Sequence, residues 1–373
     1  MSPSRRYPVA QPSLTDLEER YVLEAVRSGW VSSSGAFVDR FEREFAERTG
    51  SGHALVTANG TVALHLALAA LGIGPGDEVV IPALTYIATA NAVTYCGATV
   101  VLADVSPDTW CLDAAAVEKA ITRRTRAVIA VDVYGQPADY AALADVCDAH
   151  GLLLVADAAE SVGADVAGAP VGSLAPVTTF SFFGNKVMTA GEGGCVTTSD
   201  PELAARMRLL RGQGMDPERR YYFPVVGFNY RLTNVAAALL CAQFERLDGM
   251  IARRDAVVAG YESAFAGDLR LTPQPLVAGT RRAPWLAAFL VGEPGDGRSR
   301  DALMAELSGA GVETRPFFIP LHHLPPYRGD GAQSFPVTED LGYRGINLPT
   351  YADLTDEDVT EIARRVRESL DRI

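Results

Sequence analysis

The sequence predicts an α/β protein with a mostly parallel central sheet and a smaller α/β domain toward the C-terminus. Three observations carry that expectation. Short apolar, β-branched runs alternate with helical stretches between residues 53 and 157, a pattern that builds a parallel sheet covered on both faces. The 373 residues exceed what one hydrophobic core usually organises, so the chain should divide. A long helical run after residue 234 then leads away from the sheet toward a second set of strand and helix signals.

Taken in order, Thr15 caps "DLEERYVLEAVRS" with Glu18 three residues on as a capping box, and Gly29 stops it. "GAFVDRFEREFAERTG" repeats the helical spacing and ends on glycine. The alternation follows: "HALVT" and "GTVALHLALAALG", "DEVVIP" and "YIATANAVTYCG", "TVVLADV" and "LDAAAVEKAIT", "RAVIAVDV" and "ADYAALADVCDAHG", then "LLLVAD". "VTTFSFF" and "GGCVTTS" add two strands, and "DPELAARMRLLRGQG" is a helix capped by Ser199 or Asp200. "VAAALLCAQFERLDGMIARRDAVVAGYESAF" reads as one long helix, followed by the strand "PWLAAFLV", the helix "RDALMAELSGAG", a Pro/His-rich loop and the helix "DEDVTEIARRVRESL". The expected division is an N-terminal helical segment (1–50), a large α/β domain (51–250), and the long helix with a small α/β domain (251–373).

A formal net charge of −13 weighs against nucleic acid or an anionic membrane as a generic partner. No apolar run approaches a membrane span, and the N-terminus has no secretory pattern. The five cysteines are scattered and never spaced C-x-x-C, which suits reduced thiols in a cytoplasmic protein. The histidines show no zinc-ligand spacing, so His322 and His323 read as polar loop residues and no metal is expected.

The stretch "SFFGNKVMTAGEGG" puts Lys186 at the end of an aromatic strand and surrounds it with Gly184, Gly191, Gly193 and Gly194. Lysine usually ends in solvent; here it is delivered to the carboxyl edge of a sheet, where ligands of doubly wound folds bind. Two further features share that edge. Asn59-Gly60-Thr61 opens a helix, whose free N–H groups and threonine hydroxyl favour an anion such as phosphate. Asp157 ends "LLLVAD". Each alone has an ordinary explanation as a cap or a turn. Together, a phosphate cradle, a strand-end carboxylate and a strand-end lysine match the needs of pyridoxal 5′-phosphate. Neither G-x-G-x-x-G after the first strand nor a Walker lysine motif is present, so nicotinamide and nucleoside-triphosphate readings lose their support.

These residues also carry a resemblance. "NGTVALHLALAALGIGPGDEVVIPALTYIATANAVTYCGA", "VYGQPAD", "VADAAESVGA", "VGSL", "FSFFGNKVMTAGEGG", "LRGQGMD" and "GFNYRLTNVAAA" occur in the order found in the DegT/DnrJ/EryC1/StrS sugar aminotransferases, from about Ser13 to the C-terminus. The resemblance implies a fold-type I, aspartate aminotransferase-like transferase. It implies that Lys186 is the Schiff-base lysine and acid/base, and that Asp157 pairs with the pyridine nitrogen. Tyr86 would stack on the ring, Gly60, Thr61 and Ser181 would hold the phosphate, and Glu160 would lie near the ring hydroxyl. Asn229 and Arg231 would reach the cofactor of the other subunit in a homodimer with shared sites. Arg219 and Arg220 would lie near a nucleotide or remain solvated.

Within the family, "RGQGMDPERRYYFPVVGFNYR" and Glu160 are most similar to members that aminate a GDP-linked 4-keto-6-deoxymannose-type sugar with L-glutamate as donor. Two positions depart from that branch. Asp132 in "VDVYGQ" replaces a histidine, and Ile319 in "FIPLHH" replaces another, ahead of His322; either change would alter which sugar hydroxyls or phosphates a pocket can pair. Other NDP-keto-sugars, including dTDP-sugars or a longer-chain GDP-sugar of antibiotic biosynthesis, use the same chemistry. Sugar dehydration is disfavoured because related dehydratases have histidine at the Lys186 position. A non-catalytic regulatory protein on the same fold is the alternative from another class.

Overall fold

The computed structural model describes residues 5–329 and 333–373. Helix α1 (Asp16–Arg27) starts at Thr15 with its capping box to Glu18 in place, and α2 (Ala36–Thr49) ends on Gly50 in the left-handed conformation. The first five strands are β1 (His53–Thr57), β2 (Glu78–Pro82), β3 (Thr99–Ala103), β4 (Thr125–Val131) and β5 (Leu153–Asp157). Between them run α3 (Gly60–Ala70), α4 (Ile87–Tyr95), α5 (Ala114–Ala120) and α6 (Tyr140–His150). Two two-residue strands, β6 (Asp165–Val166) and β7 (Ala169–Pro170), precede β8 (Val177–Ser181), β9 (Gly194–Thr198) and α7 (Pro201–Arg211).

The central sheet has seven strands in the order β1-β9-β8-β5-β4-β2-β3. Only β9 runs against the rest, pairing antiparallel with both β1 and β8. The parallel strands therefore point their carboxyl ends to one edge, and Asp157 and the turn after β8 emerge there side by side.

Strand alternation sets the two faces of β8. Phe180 and, just beyond the strand, Phe182 turn to one side and meet α2, with Phe45 edge-on to both at 5.0 and 5.5 Å. Ser181 lies between them and faces the start of α3, so close that a Cβ at Gly60 would sit 2.8 Å from the Ser181 Cβ. The aromatic run is thus the packing surface for α2, while the residue between the rings turns toward the ligand edge. Gly194, by contrast, answers a close approach of backbone. A Cβ there would come within 2.5 Å of the Asn59 backbone, so it lets β9 pass under the β1–α3 turn. Gly184 meets nothing closer than 3.8 Å and is not demanded by space.

The long helix expected after residue 234 is two. Helix α8 (Asn234–Glu245) and α9 (Leu247–Ala264) break at Arg246, whose φ and ψ are −100° and −2°. Its guanidinium bonds the Glu18 carboxylate at 2.6 Å and the Ser13 carbonyl at 3.2 Å, which fastens the break to the start of α1. Beyond α9, β10 (Leu271–Pro273), β12 (Ala287–Val291), β13 (Arg315–Pro316) and β14 (Gly345–Leu348) form an antiparallel sheet in the order β10-β12-β14-β13. The short β11 (Thr280–Arg281) pairs instead with β6. Helices α10 (Gly297–Gly309), α11 (Pro336–Arg344) and α12 (Asp356–Leu370) complete the chain. Tyr7 bridges to Val312, with a 2.9 Å bond from its amide to Gly311, so the N-terminal arm reaches the small sheet as well.

Phe45→Ala removes a fully buried ring that contacts Phe41, Phe180, Phe182 and Phe244. The expected cost is ~3–5 kcal/mol of unfolding free energy, read as a lower denaturant midpoint at unchanged slope.

Candidate active site

The carboxyl edge of β5 and β8 gathers one amine and two acids. The Lys186 side chain is only 12 % exposed, and its Nζ lies 3.5 Å from Glu160 Oε1. The same nitrogen sits 3.8 Å from the centroid of the Trp285 ring. Burial pulls the Lys186 ammonium below its ordinary pKa, while Glu160 and then Asp157 pull it back up. A lysine in that balance gives up its proton more readily than a solvated one, which is what a nucleophilic amine requires.

The two acids show the same conflict with opposite sign. Asp157 is buried, and burial raises its pKa; the Thr89 hydroxyl, the Ala159 amide and Lys186 act to lower it. One carboxylate oxygen accepts from Thr89 at 2.8 Å and the other from Ala159 N–H at 3.2 Å. Glu160 is pushed up to about 7 by burial, against Lys186 and the Tyr134 amide, which donates to its Oε2 at 2.8 Å. Tyr134 holds that amide in place with a left-handed backbone, φ 54°. Buried acids of this kind are stable as anions only opposite a cation.

The third component is a set of donors. Asn59 caps α3 by accepting from Val62 N–H at 3.0 Å, and its carbonyl takes Ala63 N–H at 3.1 Å. The amides of Gly60 and Thr61, at the first two positions of the helix, have no acceptor among the described residues, and neither do the hydroxyls of Thr61 and Ser181. Two unpaired amides and two hydroxyls at a helix N-terminus form a cradle for phosphate oxygens. Pyridoxal phosphate fits this donor set: a cradle for its phosphate, a buried carboxylate needing a cation for its ring nitrogen, and an amine for its aldehyde.

The other expected residues scatter. Tyr86 stands at the start of α4, 58 % exposed, with Phe318 beside it at 5.8 Å. Asn229 and Arg231 are exposed on the strip that bridges Gly212 and Thr57. Arg219 and Arg220 are exposed and lie over the rings of Tyr222 and Tyr221. Ile319 is 59 % exposed. Asp132, expected to face substrate, is instead fully buried. Its Oδ1 accepts from Ala138 N–H at 2.9 Å and Tyr140 O–H at 2.8 Å, and its Oδ2 from Ser161 O–H at 2.5 Å. With both oxygens occupied and no surface, it braces the turn carrying Glu160 and has nothing left to offer a sugar.

His322 is buried, with Nε2 3.1 Å from Glu339 Oε1, an oxygen that also accepts from Phe335 N–H. His322, His323 and Glu339 bring ligand-type atoms within 4.8 Å of one another. Sequence spacing gives no sign of this group, because Glu339 is brought in by α11, an element the sequence did not announce. Trp285, Arg254 and Thr89 were also missed. Trp285 sat inside an apparent strand run, Arg254 inside a helix, and neither residue type in that setting signals a site.

Fold and site together define an aminotransferase that uses pyridoxal phosphate. The model of the DegT/DnrJ/EryC1/StrS aminotransferase family matches residues 12–367, and the chain belongs to that family. It is 50 % identical to the GDP-perosamine synthase of Caulobacter vibrioides over the whole of both chains. Among solved structures it is similar to the aminotransferase TlmJ from Streptoalloteichus hindustanus, with TM-score 0.93, 32 % identity and coverage of 99 % of this chain and 100 % of that one. It is similar too to the PLP form of the putative sugar aminotransferase Spr1654 from Streptococcus pneumoniae, with TM-score 0.93, 28 % identity and 99 % of each chain covered. No helix among the described residues is long and apolar enough to cross a membrane.

Burial raises Asp132 to about 7, far above an unfolded aspartate. Between about pH 4 and 7 the folded state then binds more protons than the unfolded state, so stability falls as pH rises through that window. Asp132→Asn, which keeps an acceptor and gives Ser161 a donor, should flatten the fall in Tm of cofactor-free protein between pH 5 and 7.5. An unchanged slope would show that Asp132 titrates as an ordinary carboxylate.

Proposed function

We propose that the protein transfers an amino group from L-glutamate to C4 of a GDP-linked 4-keto-6-deoxymannose-type sugar, yielding a GDP-linked 4-amino sugar. The observation that carries the reaction class is the convergence of Lys186 Nζ with Glu160 and Asp157 beside the unpaired donors of Gly60, Thr61 and Ser181. The sugar and its nucleotide rest on the full-length similarity to the perosamine synthase.

Bound at this site, pyridoxal phosphate supplies an aldehyde carbon and an electron sink. The Gly60 and Thr61 amides with the Thr61 and Ser181 hydroxyls hold its phosphate, and Asp157 keeps its ring nitrogen protonated. Thr89 and Ala159 aim the Asp157 carboxylate and hold it ionised once the ring's charge is present. Lys186 would hold the aldehyde carbon through Nζ and, when free, would carry a proton at that nitrogen for the transfer. Glu160 takes up the positive charge that Nζ gains when it holds that proton. Tyr86, exposed at the start of α4, would stack against the ring.

Subunit pairing is the second part of the reading. Tyr221, Phe223 and Val226 are exposed by 73, 51 and 90 %, on the same strip as Asn229 and Arg231. Apolar side chains left open beside polar ones suit burial against a second copy, whose site Asn229 and Arg231 would complete. The expected compartment is the cytoplasm.

Lys186→Ala should lower turnover at least ~1,000-fold, and borohydride should fix the cofactor on the Lys186 peptide of the wild type. An unlabelled Lys186 peptide would remove the proposed mechanism. Purified enzyme with L-glutamate and a panel of nucleotide keto-sugars, read by mass and NMR, tests the substrate. Amination of dTDP-sugars but not GDP-sugars would overturn the nucleotide assignment, and no amination of any sugar would favour the regulatory alternative.

A further inference from the structure

Trp285 enters the site from the segment before β12 and is held by hydrogen bonds and stacked rings. Its indole N–H donates to the Asn185 carbonyl at 2.9 Å, one residue before the lysine. Its own carbonyl accepts from Arg254 Nη1 at 2.8 Å, and Arg254 Nη2 reaches the Lys186 carbonyl at 3.4 Å. Tyr134 and Phe318 lie nearly parallel to the indole, tilted by 15° and 21° with centroids 6.2 and 6.3 Å away. The ring is therefore a rigid plane, only 5 % exposed at the residue level, and it presents a face to Lys186 Nζ.

We propose that the Trp285 indole face and the Glu160 carboxylate form a second seat for the Lys186 ammonium, occupied whenever that nitrogen is not bonded to the cofactor. The inference rests on the reading of Lys186 as the cofactor lysine. Such a lysine is free whenever the cofactor carries the amino group, and here its side chain is largely buried. A free ammonium there needs compensation, and the electron-rich indole face supplies it without adding a third negative charge beside Asp157 and Glu160. The seat also keeps Nζ close to where the proton must move, rather than letting the stem swing away. Trp285 is thus a positioning residue that acts through Lys186.

The chain contains only two lysines, Lys186 and the exposed Lys119, so amine chemistry reads the seat directly. Full-length enzyme is loaded with pyridoxamine 5′-phosphate, which leaves Lys186 unbonded, and pulsed with acetic anhydride from pH 6 to 10. Peptide mass spectrometry follows both lysines, with Lys119 as the internal reference. Trp285→Leu should lower the Lys186 labelling midpoint by about 0.5–1.5 pH units, because the ring favours the protonated amine. Below the midpoint, that shift appears as ~3–30-fold faster acetylation. Trp285→Phe keeps a smaller ring face and loses the bond to Asn185, so it should move the midpoint less than half as far. If Trp285→Leu does not fold, Trp285→Met carries the same expectation. An unmoved midpoint, or equal shifts for Phe and the aliphatic variant, overturns the seat. Borohydride fixation on wild-type Lys186 separates the two failures: fixation with an unmoved midpoint sinks the seat alone, and no fixation sinks the lysine assignment itself.

Discussion

One amine and two carboxylic acids, held out of water within reach of one another, form the constraint around which the site is arranged. None of the three is comfortable alone. Burial drives Asp157 and Glu160 toward their protonated forms and Lys186 toward its neutral form; Lys186 and the acids partly reverse the effect on each other, while Asp157 pushes Glu160 further up. Two acids and one base leave an excess of potential negative charge. A cationic ring nitrogen at Asp157 would remove that excess, leaving Glu160 and Lys186 as the remaining pair.

Holding such a cluster requires rigid elements behind each member. Asp157 comes directly off β5, and β8 beside it is pinned by antiparallel β9 on its other flank. The Phe180 and Phe182 rings lock β8 against α2, and that same alternation leaves Ser181 facing the α3 start. Glu160 stands on a turn braced by Asp132 through Ser161 and aimed by the strained Tyr134 amide. The lid comes from elsewhere in the chain. Trp285 and Arg254, from beyond the central sheet, close over Lys186 and tie its backbone to the small-sheet side.

Most of the central sheet was legible, because short continuous apolar, β-branched runs alternating with helical stretches leave few other solutions, and the caps at Thr15, Gly50 and Asp200 lie where their residue types require. The C-terminal region was harder to read. Its β13 and β14 are two and four residues long, and β14 follows α11 without a break, so neither generates a periodic signal. The break at Arg246 escaped notice because arginine is a good helix former; tertiary bonds to Glu18 and Ser13 outweigh propensity there. At the site, residues adjacent to strand ends were visible in sequence, whereas Trp285 and Arg254 arrive through contacts spanning about a hundred and about seventy positions.

The two departures from the perosamine-type pattern now carry different weight. A charged group inside a sugar pocket would change selectivity, but Asp132 spends both oxygens on Ala138, Tyr140 and Ser161 and has no surface. Its substitution for histidine therefore bears on how firmly Glu160 is held rather than on what the sugar meets. Ile319 is the opposite case. It is exposed on a loop that Leu321 anchors to the Ala83 carbonyl at 2.9 Å, next to Phe318 and hence to Tyr86. An alkyl group cannot pair a hydroxyl or a phosphate, so if the proposed sugar reaches this loop its polar recognition would come from other groups there. On the proposed function, selectivity among keto-sugars would be sought along residues 318–323 and, from the second copy, along the exposed strip 219–231.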